Sequence, residues 1–428
     1  MEEWPLAGPP GRRKSVEEVP KKRIAIVLSG GGARGAYEAG VLSYLFERVY
    51  PQLGPEFEFD IVSGTSVGAI HAAYVAASAG MPANERVSRL VETWRQMSLD
   101  NVFRLSAGDL IGIPLRALGV LRGARAATPG PRRDVIGGIV DVSPLERIVE
   151  ERIPWDRLRA NIDGSRPGVL CVSCTEIRRG LVTVFMDGKL SDTEPWNYDP
   201  NAIAVCGPVT QKHVRASAAI PFLFPAVRVD DRFYVDGGVR MNTPLSPAVR
   251  LQASKILVVA LKHLPVTRSE DTIDAEAAIT QPAFLLGKVL DILMLDHLEY
   301  ELQRLELINA MIDRGAEICG PQFREQMNVA IRAERGVGYR KVETTIVRPS
   351  EDLGAIAAAK QRDRDAGSMG ALASMVTRAA ARGVPHGEAD LLSYLFFDRR
   401  FTEPLLELGR EDARTQEEEI VRVLTTET

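Results

Sequence analysis

Gly64-Thr65-Ser66-Val67-Gly68 brings together a nucleophile and the backbone freedom needed to present it. The segment follows the apolar run Phe59-Asp60-Ile61-Val62-Ser63 and leads into the small-residue stretch Ala69-Ile70-His71-Ala72-Ala73. That order predicts a strand, a sharp turn and a helix. The flanking glycines let the chain turn tightly enough to lift the Ser66 hydroxyl clear of the sheet, with a helix N-terminus behind it. Ser66 is the candidate nucleophile, and Gly64, Thr65, Val67 and Gly68 form its elbow. The competing reading is a glycine-rich turn with a capping serine or threonine.

Upstream, Arg23-Ile24-Ala25-Ile26-Val27-Leu28-Ser29 reads as a buried strand that empties into Gly30-Gly31-Gly32-Ala33-Arg34-Gly35, with a helical pattern directly after. Consecutive glycines before a helix leave several N–H groups unpaired and allow close approach, which suits either a phosphate or a developing oxyanion. The same residues spell G-x-G-x-x-G, the dinucleotide fingerprint. That reading requires an acid at the end of the second strand to hold a ribose. Glu58 and Asp60 fall before or at the start of that strand, and its end carries Ser63-Gly64-Thr65-Ser66.

A serine hydroxyl needs a base to take its proton. His71 lies five residues past Ser66 on the expected helix and is turned away from it. His213 precedes a helical segment, and His263, His297 and His386 sit in loop or amphipathic contexts that suit ordinary surface or core histidines. Val235-Asp236-Gly237-Gly238 offers an alternative at the end of a hairpin whose turn is Asp230-Asp231. An aspartate there would be ionised at neutral pH and would need only geometry to act. A Ser66–Asp236 dyad is therefore expected. The competing reading of Asp236, Gly237 and Gly238 is a turn with an Asx-type hydrogen bond.

Taken in order, the glycine-rich loop, the serine elbow and the Asp-Gly-Gly resemble the patatin-like phospholipase family. Ala216-Ser217-Ala218-Ala219-Ile220-Pro221-Phe222-Leu223-Phe224-Pro225 and Cys174-Thr175-Glu176-Ile177-Arg178-Arg179-Gly180 look like further landmarks of that family, and the resemblance runs from about Lys22 to Lys262. It implies a three-layer α/β/α fold with a central, mostly parallel sheet, and lipid acyl hydrolysis by a Ser–Asp dyad without histidine. Carried onto this chain, it makes Ser66 the nucleophile, Asp236 the proton acceptor and the N–H groups of Gly31, Gly32 and Ala33 the oxyanion hole, with Arg34 at the family's basic position. The expected substrate is a phospholipid or related acyl lipid, met transiently at a membrane surface, with no cofactor or metal. Two other classes stay open: a dinucleotide-dependent oxidoreductase using Gly30 to Gly35, and a non-catalytic lipid-binding regulator on the same frame.

The rest of the chain frames that core. The 428 residues are 45% hydrophobic and 26% charged, as in globular proteins, and a net charge of −4 provides no bulk field for nucleic acid. Four cysteines are too few for a disulfide scaffold, and the Cys171–Cys174 C-x-x-C lies inside a strand-like run. No apolar h-region and no uncharged apolar run of spanning length is visible, so a cytoplasmic protein, peripheral at a membrane, is expected. Residues 1–21 read as a disordered tail, 22–262 as the catalytic domain, 263–281 as a linker and 282–428 as a mainly helical extension with an added strand near 341–348. Within 100–135, the run from Leu110 to Arg122 mixes apolar residues with arginines, which suits a membrane-facing cap or an ordinary helical insertion. A helix capped by Ser143 with Pro144 at its first position is expected, as are helices over Pro282–Asp313, Leu372–Gly383, Glu388–Phe397 and Thr402–Leu424.

Overall fold

The structure, a computed structural model, describes residues 22–104, 135–136, 140–221, 223–264, 298–362 and 390–425. Its strands are β1 (Arg23–Leu28), β2 (Ile61–Thr65), β3 (Val135–Ile136), β4 (Val169–Glu176), β5 (Leu181–Asp187), β6 (Ala202–Cys206), β7 (Ala226–Val229), β8 (Arg232–Asp236), β9 (Ala253–Val259) and β10 (Glu343–Val347). They form one sheet in the order β10-β9-β1-β2-β4-β8-β7-β3, with β5 and then β6 branching from β4. The run β10-β9-β1-β2-β4 is parallel throughout. β8, β7 and β3 continue it antiparallel.

The central strands are buried on both faces, as a parallel sheet sandwiched between helices must be. Period-two alternation divides their side chains between two cores. Ile26, Leu28, Val62, Leu170 and Val172 enter one, and Ala25, Val27, Ile61, Val169 and Cys171 enter the other. The helices that position the site are α1 (Gly35–Tyr44), α2 (Val67–Ala77), α3 (Ala83–Arg95), α4 (Ser143–Arg152), α5 (Gln211–Ser217) and α6 (Leu245–Arg250). Beyond the sheet core come α7 (Leu298–Cys319), α8 (Phe323–Arg335), α9 (Asp390–Leu395), α10 (Arg399–Thr415) and α11 (Glu417–Thr425). The first core holds residues of α1, α2, α3 and α10 and the second residues of α6 and α7, giving a three-layer α/β/α arrangement.

Several local expectations change on folding. Ser143 does not cap α4 but is its first residue, and its N–H donates to Asp141 Oδ1 at 3.0 Å, so the aspartate two residues upstream serves the helix start. The expected helix over Thr402–Leu424 is two helices, broken at Gln416. α11 restarts with Glu417, Glu418 and Glu419, three acids in a first turn where the helix dipole favours them. α7 runs six residues past Asp313 to Cys319, and the part of that helix expected over 282–297 lies outside the described residues. The same holds for the Leu372–Gly383 helix, for nearly all of the 263–281 linker, for the 1–21 tail and for the cap region from 105 to 134. Cys171 and Cys174, three apart on β4, belong to opposite cores and are fully buried, which pushes both thiols up.

The C-terminal helices pack directly on the helix layer beside the sheet. α10 crosses α1 at two glycines: a Cβ on Gly40 would meet the Leu406 carbonyl oxygen at 2.2 Å, and one on Gly409 would meet that of Tyr37 at 2.1 Å. The Tyr37 hydroxyl donates to Asp412 Oδ2 at 2.9 Å across the same crossing.

Candidate active site

The expected sharp turn forms where β2 ends and α2 begins. Ser66 adopts φ 56°, ψ −124°, a strained conformation for a residue with a side chain and the expected one at a strand-to-helix turn of this kind. The turn closes only because Gly64 and Gly68 lack side chains. A Cβ on Gly64 would sit 2.1 Å from the Gly68 carbonyl oxygen, and one on Gly68 would sit 2.3 Å from that of Leu28. Both obstacles are backbone. Gly68→Ala is therefore expected to cost at least about 3 kcal/mol, beyond the usual range for one added methyl in a packed core. Urea denaturation checks this, and a variant within about 1 kcal/mol of wild type would contradict so tight a turn.

Asp236 reaches Ser66 through the sheet. β4 pairs with β5 along one edge from Leu170 to Glu176, so its other edge must accommodate both β2 and β8. β2 runs along that edge until Thr65 faces Ser173; β8 runs the opposite way until Asp236 faces Cys174. The two strand ends thus meet on neighbouring registers of β4, and the next residue on one side is Ser66. Gly237 marks the junction: a Cβ there would lie 2.2 Å from the Ser173 carbonyl oxygen and 3.0 Å from Thr65 Cγ2.

Hydrogen bonds fix both groups. Asp236 Oδ1 accepts from the Gly238 N–H at 2.7 Å, and the Asp236 N–H donates to the Ala219 carbonyl at 2.9 Å. The Ser66 N–H donates to Ser217 Oγ at 2.9 Å, while the Ser217 hydroxyl donates to the Ser173 carbonyl at 2.6 Å. One short segment at the end of α5 thereby grips both Ser66 and Asp236. Ser217 stands within a stretch quoted above for its resemblance, but its role in holding Ser66 could not be read from spacing.

Asp236 is 0% exposed and Ser66 only 3%. Burial lifts the Asp236 carboxyl to about 7, with the Ser66 hydroxyl and the Gly238 N–H acting in the opposite direction. Asp236 Oδ2 has no hydrogen-bond partner among the described residues, and the Ser66 hydroxyl is the side-chain group that favours its charged form. This differs from the expectation of an aspartate fully ionised at neutral pH. Removal from water outweighs the two favourable contacts.

The glycine-rich loop lies beside Ser66. A Cβ on Gly30 would be 3.1 Å from Ser66 Cβ and 2.5 Å from Asn242 Oδ1. Asn242, not anticipated from sequence, holds the loop: its carbonyl accepts from the Gly30 N–H at 3.0 Å and its Nδ2 donates to the Gly30 carbonyl at 3.2 Å. The first bond of the following turn runs from the Arg34 N–H to the Gly31 carbonyl at 3.1 Å. The N–H groups of Gly31, Gly32 and Ala33 precede it and have no acceptor among the described residues. Gly35 lets α1 approach the elbow, since a Cβ there would meet Val67 Cγ2 at 2.4 Å. Thr65 turns its hydroxyl to the Met241 carbonyl at 2.9 Å. Arg34 is only 6% exposed and is engaged by Ser393 and Tyr394 of α9.

The described histidines are occupied elsewhere. His71 Nε2 accepts the Trp94 indole N–H at 2.9 Å, and its Nδ1 lies 3.6 Å from Oε1 of the fully buried Glu38, whose carboxyl burial pushes up. Sequence distance hid that acidic neighbour. His213 Nδ1 accepts the Thr210 N–H at 3.0 Å in a capping box, and His263 Nδ1 is 3.0 Å from the Pro349 carbonyl. Among the described residues no group of three or more His, Cys, Asp or Glu could hold a metal ion, and no helix is long and apolar enough to cross a membrane.

The family profile of patatin-like phospholipases matches residues 26–249, and the chain belongs to that family. An uncharacterized NTE family protein of Mycobacterium tuberculosis is 23% identical over 257 residues, covering 59% of this chain and 54% of that protein. The chain thus matches about half the length of such curated relatives. An uncharacterized protein of Acanthamoeba polyphaga mimivirus is 47% identical over 58 residues, 13% of this chain and 15% of its own. Among solved structures, human GIVD cytosolic phospholipase A2 in complex with methyl gamma-linolenyl fluorophosphonate aligns with a TM-score of 0.39 at 13% identity, over 96% of this chain and 60% of that one. VipD from Legionella pneumophila aligns at 0.31 and 15% identity, over 91% and 67%.

Proposed function

We propose that the protein is a serine-dependent lipid acyl hydrolase acting on carboxylic esters of phospholipids or related lipids. The observation that carries this reading is the meeting of a strained, buried serine with a buried carboxylate at the two strand ends sharing one edge of β4. In the mechanism, Asp236 accepts the Ser66 proton as Oγ attacks the ester carbonyl. The N–H groups of Gly31, Gly32 and Ala33 receive the oxyanion. As it collapses, the C–O bond to the alcohol breaks, Asp236 gives its proton to the departing alcohol and an acyl-enzyme remains. Asp236 then takes a proton from the attacking water and returns it to Ser66 Oγ as the fatty acid leaves. The α2 N-terminus behind Ser66 adds favourable potential for the developing negative charge.

The dinucleotide reading has less support. Asp60 lies just before β2, at the end away from the glycine-rich loop, and its Oδ2 accepts the Ile24 N–H at 2.9 Å. A ribose-binding acid would have to stand at the opposite end of the strand. The residue there is Ser66.

Fatty-acid release from mixed phospholipid vesicles and from a soluble short-chain ester tests the substrate class. Hydrolysis of both, faster on vesicles, is the expected outcome and accords with a protein peripheral at a membrane. Hydrolysis of the soluble ester alone would remove membrane lipid as the substrate. Hydrolysis of neither, together with a thermal shift on adding NAD or NADP, would replace the hydrolase reading.

A further inference from the structure

The glycine-rich loop must hold three N–H groups at fixed positions, yet its sequence gives it unusual backbone freedom. Donors stabilise a developing charge only if they are already aimed before the charge appears. Consecutive glycines resist such aiming by themselves.

Gly30 is pinned by Asn242, and Gly31 is packed on Leu261, whose Cδ1 would be 2.5 Å from a Cβ at that position. Both partners lie close to the sheet core. The next restraints come from a different part of the chain. Gly32, at φ +56°, abuts the α9 backbone so closely that a Cβ would stand 2.3 Å from the Tyr394 carbonyl oxygen. Arg34 Nε donates to Ser393 Oγ at 2.7 Å, and its guanidinium carbon lies 4.2 Å from the centroid of the Tyr394 ring. Ser393 is fully buried there, as is Leu392 beside it. The helix that leaves the loop, α1, is held by the same region, through the glycine crossing with α10 and the Tyr37–Asp412 hydrogen bond.

We infer that Ser393 and Tyr394 are positioning residues for the proposed hydrolysis: by fixing Arg34 and Gly32, the C-terminal turn Leu392–Phe396 sets the aim of the oxyanion donors. The inference rests on the hydrolase reading and extends it to residues far outside the 26–249 family match. It also assigns Arg34 a defined task. A guanidinium enclosed by a serine hydroxyl and a tyrosine ring braces the loop, and its planar shape is what permits one donor bond and one stacked face together.

The test uses the full-length protein and a soluble short-chain ester, so that membrane binding does not enter. Ser393→Ala and Tyr394→Leu are each expected to lower kcat by about tenfold to 100-fold, the range for displacing a catalytic group by up to an ångström, with KM changed less than about twofold. Ser393→Thr and Tyr394→Phe, which retain the hydroxyl and the ring face, should restore most of the rate. General loosening of the fold would not produce that kcat-only loss with rescue. Circular dichroism identifies the folded variants, and either of the two disruptive variants suffices: wild-type kcat in whichever folds overturns the inference. Equal impairment of the disruptive and conservative members of a pair overturns it as well. A wild type that neither hydrolyses the ester nor takes up a fluorophosphonate overturns the hydrolase reading and this inference with it, whereas an active wild type beside equally active variants overturns the inference alone.

Discussion

Ser66→Ala is expected to lower kcat for ester hydrolysis by on the order of 10⁴-fold or more while leaving the fold unchanged. The substitution deletes one hydroxyl at a position that is 3% exposed, and the Ser66 N–H bond to Ser217 Oγ is a backbone bond that alanine preserves. Residual activity would come from the oxyanion donors and substrate binding alone. Ser66→Gly sharpens the test. It removes the proposed nucleophile together with the Cβ that makes φ 56° costly, so it should be as inactive as the alanine variant yet about 1 kcal/mol more stable than it. Steady-state kinetics and urea denaturation of the two variants measure both effects. Comparable activity in Ser66→Ala and wild type would end the assignment of Ser66.

The second large effect concerns Asp236 and pH. As the proposed base Asp236 must be ionised to act, and its carboxyl is lifted to about 7 by burial. The kcat/KM profile should rise with unit slope through the acid range and level off above about pH 7. Asp236→Asn should lower kcat by about 10²–10⁴-fold and abolish that limb. Stability should move the other way. Because the folded value lies above the ordinary 3.8, the neutral carboxyl favours the folded state; that contribution is complete below about pH 4 and is lost as pH rises through about 7. Wild type should therefore lose stability relative to Asp236→Asn between about pH 4 and 7, by up to a few kcal/mol. A pH-independent stability difference, or a kcat/KM limb near pH 4, would show that Asp236 is not the buried base described.

The parts of this molecule legible in its sequence are those that depend on near neighbours. β1 and β2 announce themselves as apolar β-branched runs, the elbow by two glycines around Ser66, and the β7–β8 hairpin by Asp230, which adopts φ 51° at the turn. The candidate site residues could be named because each sits at a strand end or a glycine turn. Their meeting could not be derived from local pattern, since it depends on β4 sharing one edge between β2 and β8. Nor could the raised carboxyl of Asp236, because desolvation is summed over everything packed around it. The same limit hid Glu38 beside His71, Asn242 against Gly30, and Ser393 and Tyr394 against Arg34, pairs joined by tertiary packing alone.

Covalent trapping tests the central claim most directly. Wild type, Ser66→Ala and Asp236→Asn would be incubated with a long-chain alkyl fluorophosphonate, and the modified peptide mapped by mass spectrometry alongside residual ester hydrolysis. The account predicts a single adduct on Ser66 whose formation parallels the loss of activity, no adduct in Ser66→Ala, and slow labelling in Asp236→Asn. An adduct on a different serine that abolishes activity, or full hydrolysis by protein labelled at Ser66, would contradict it.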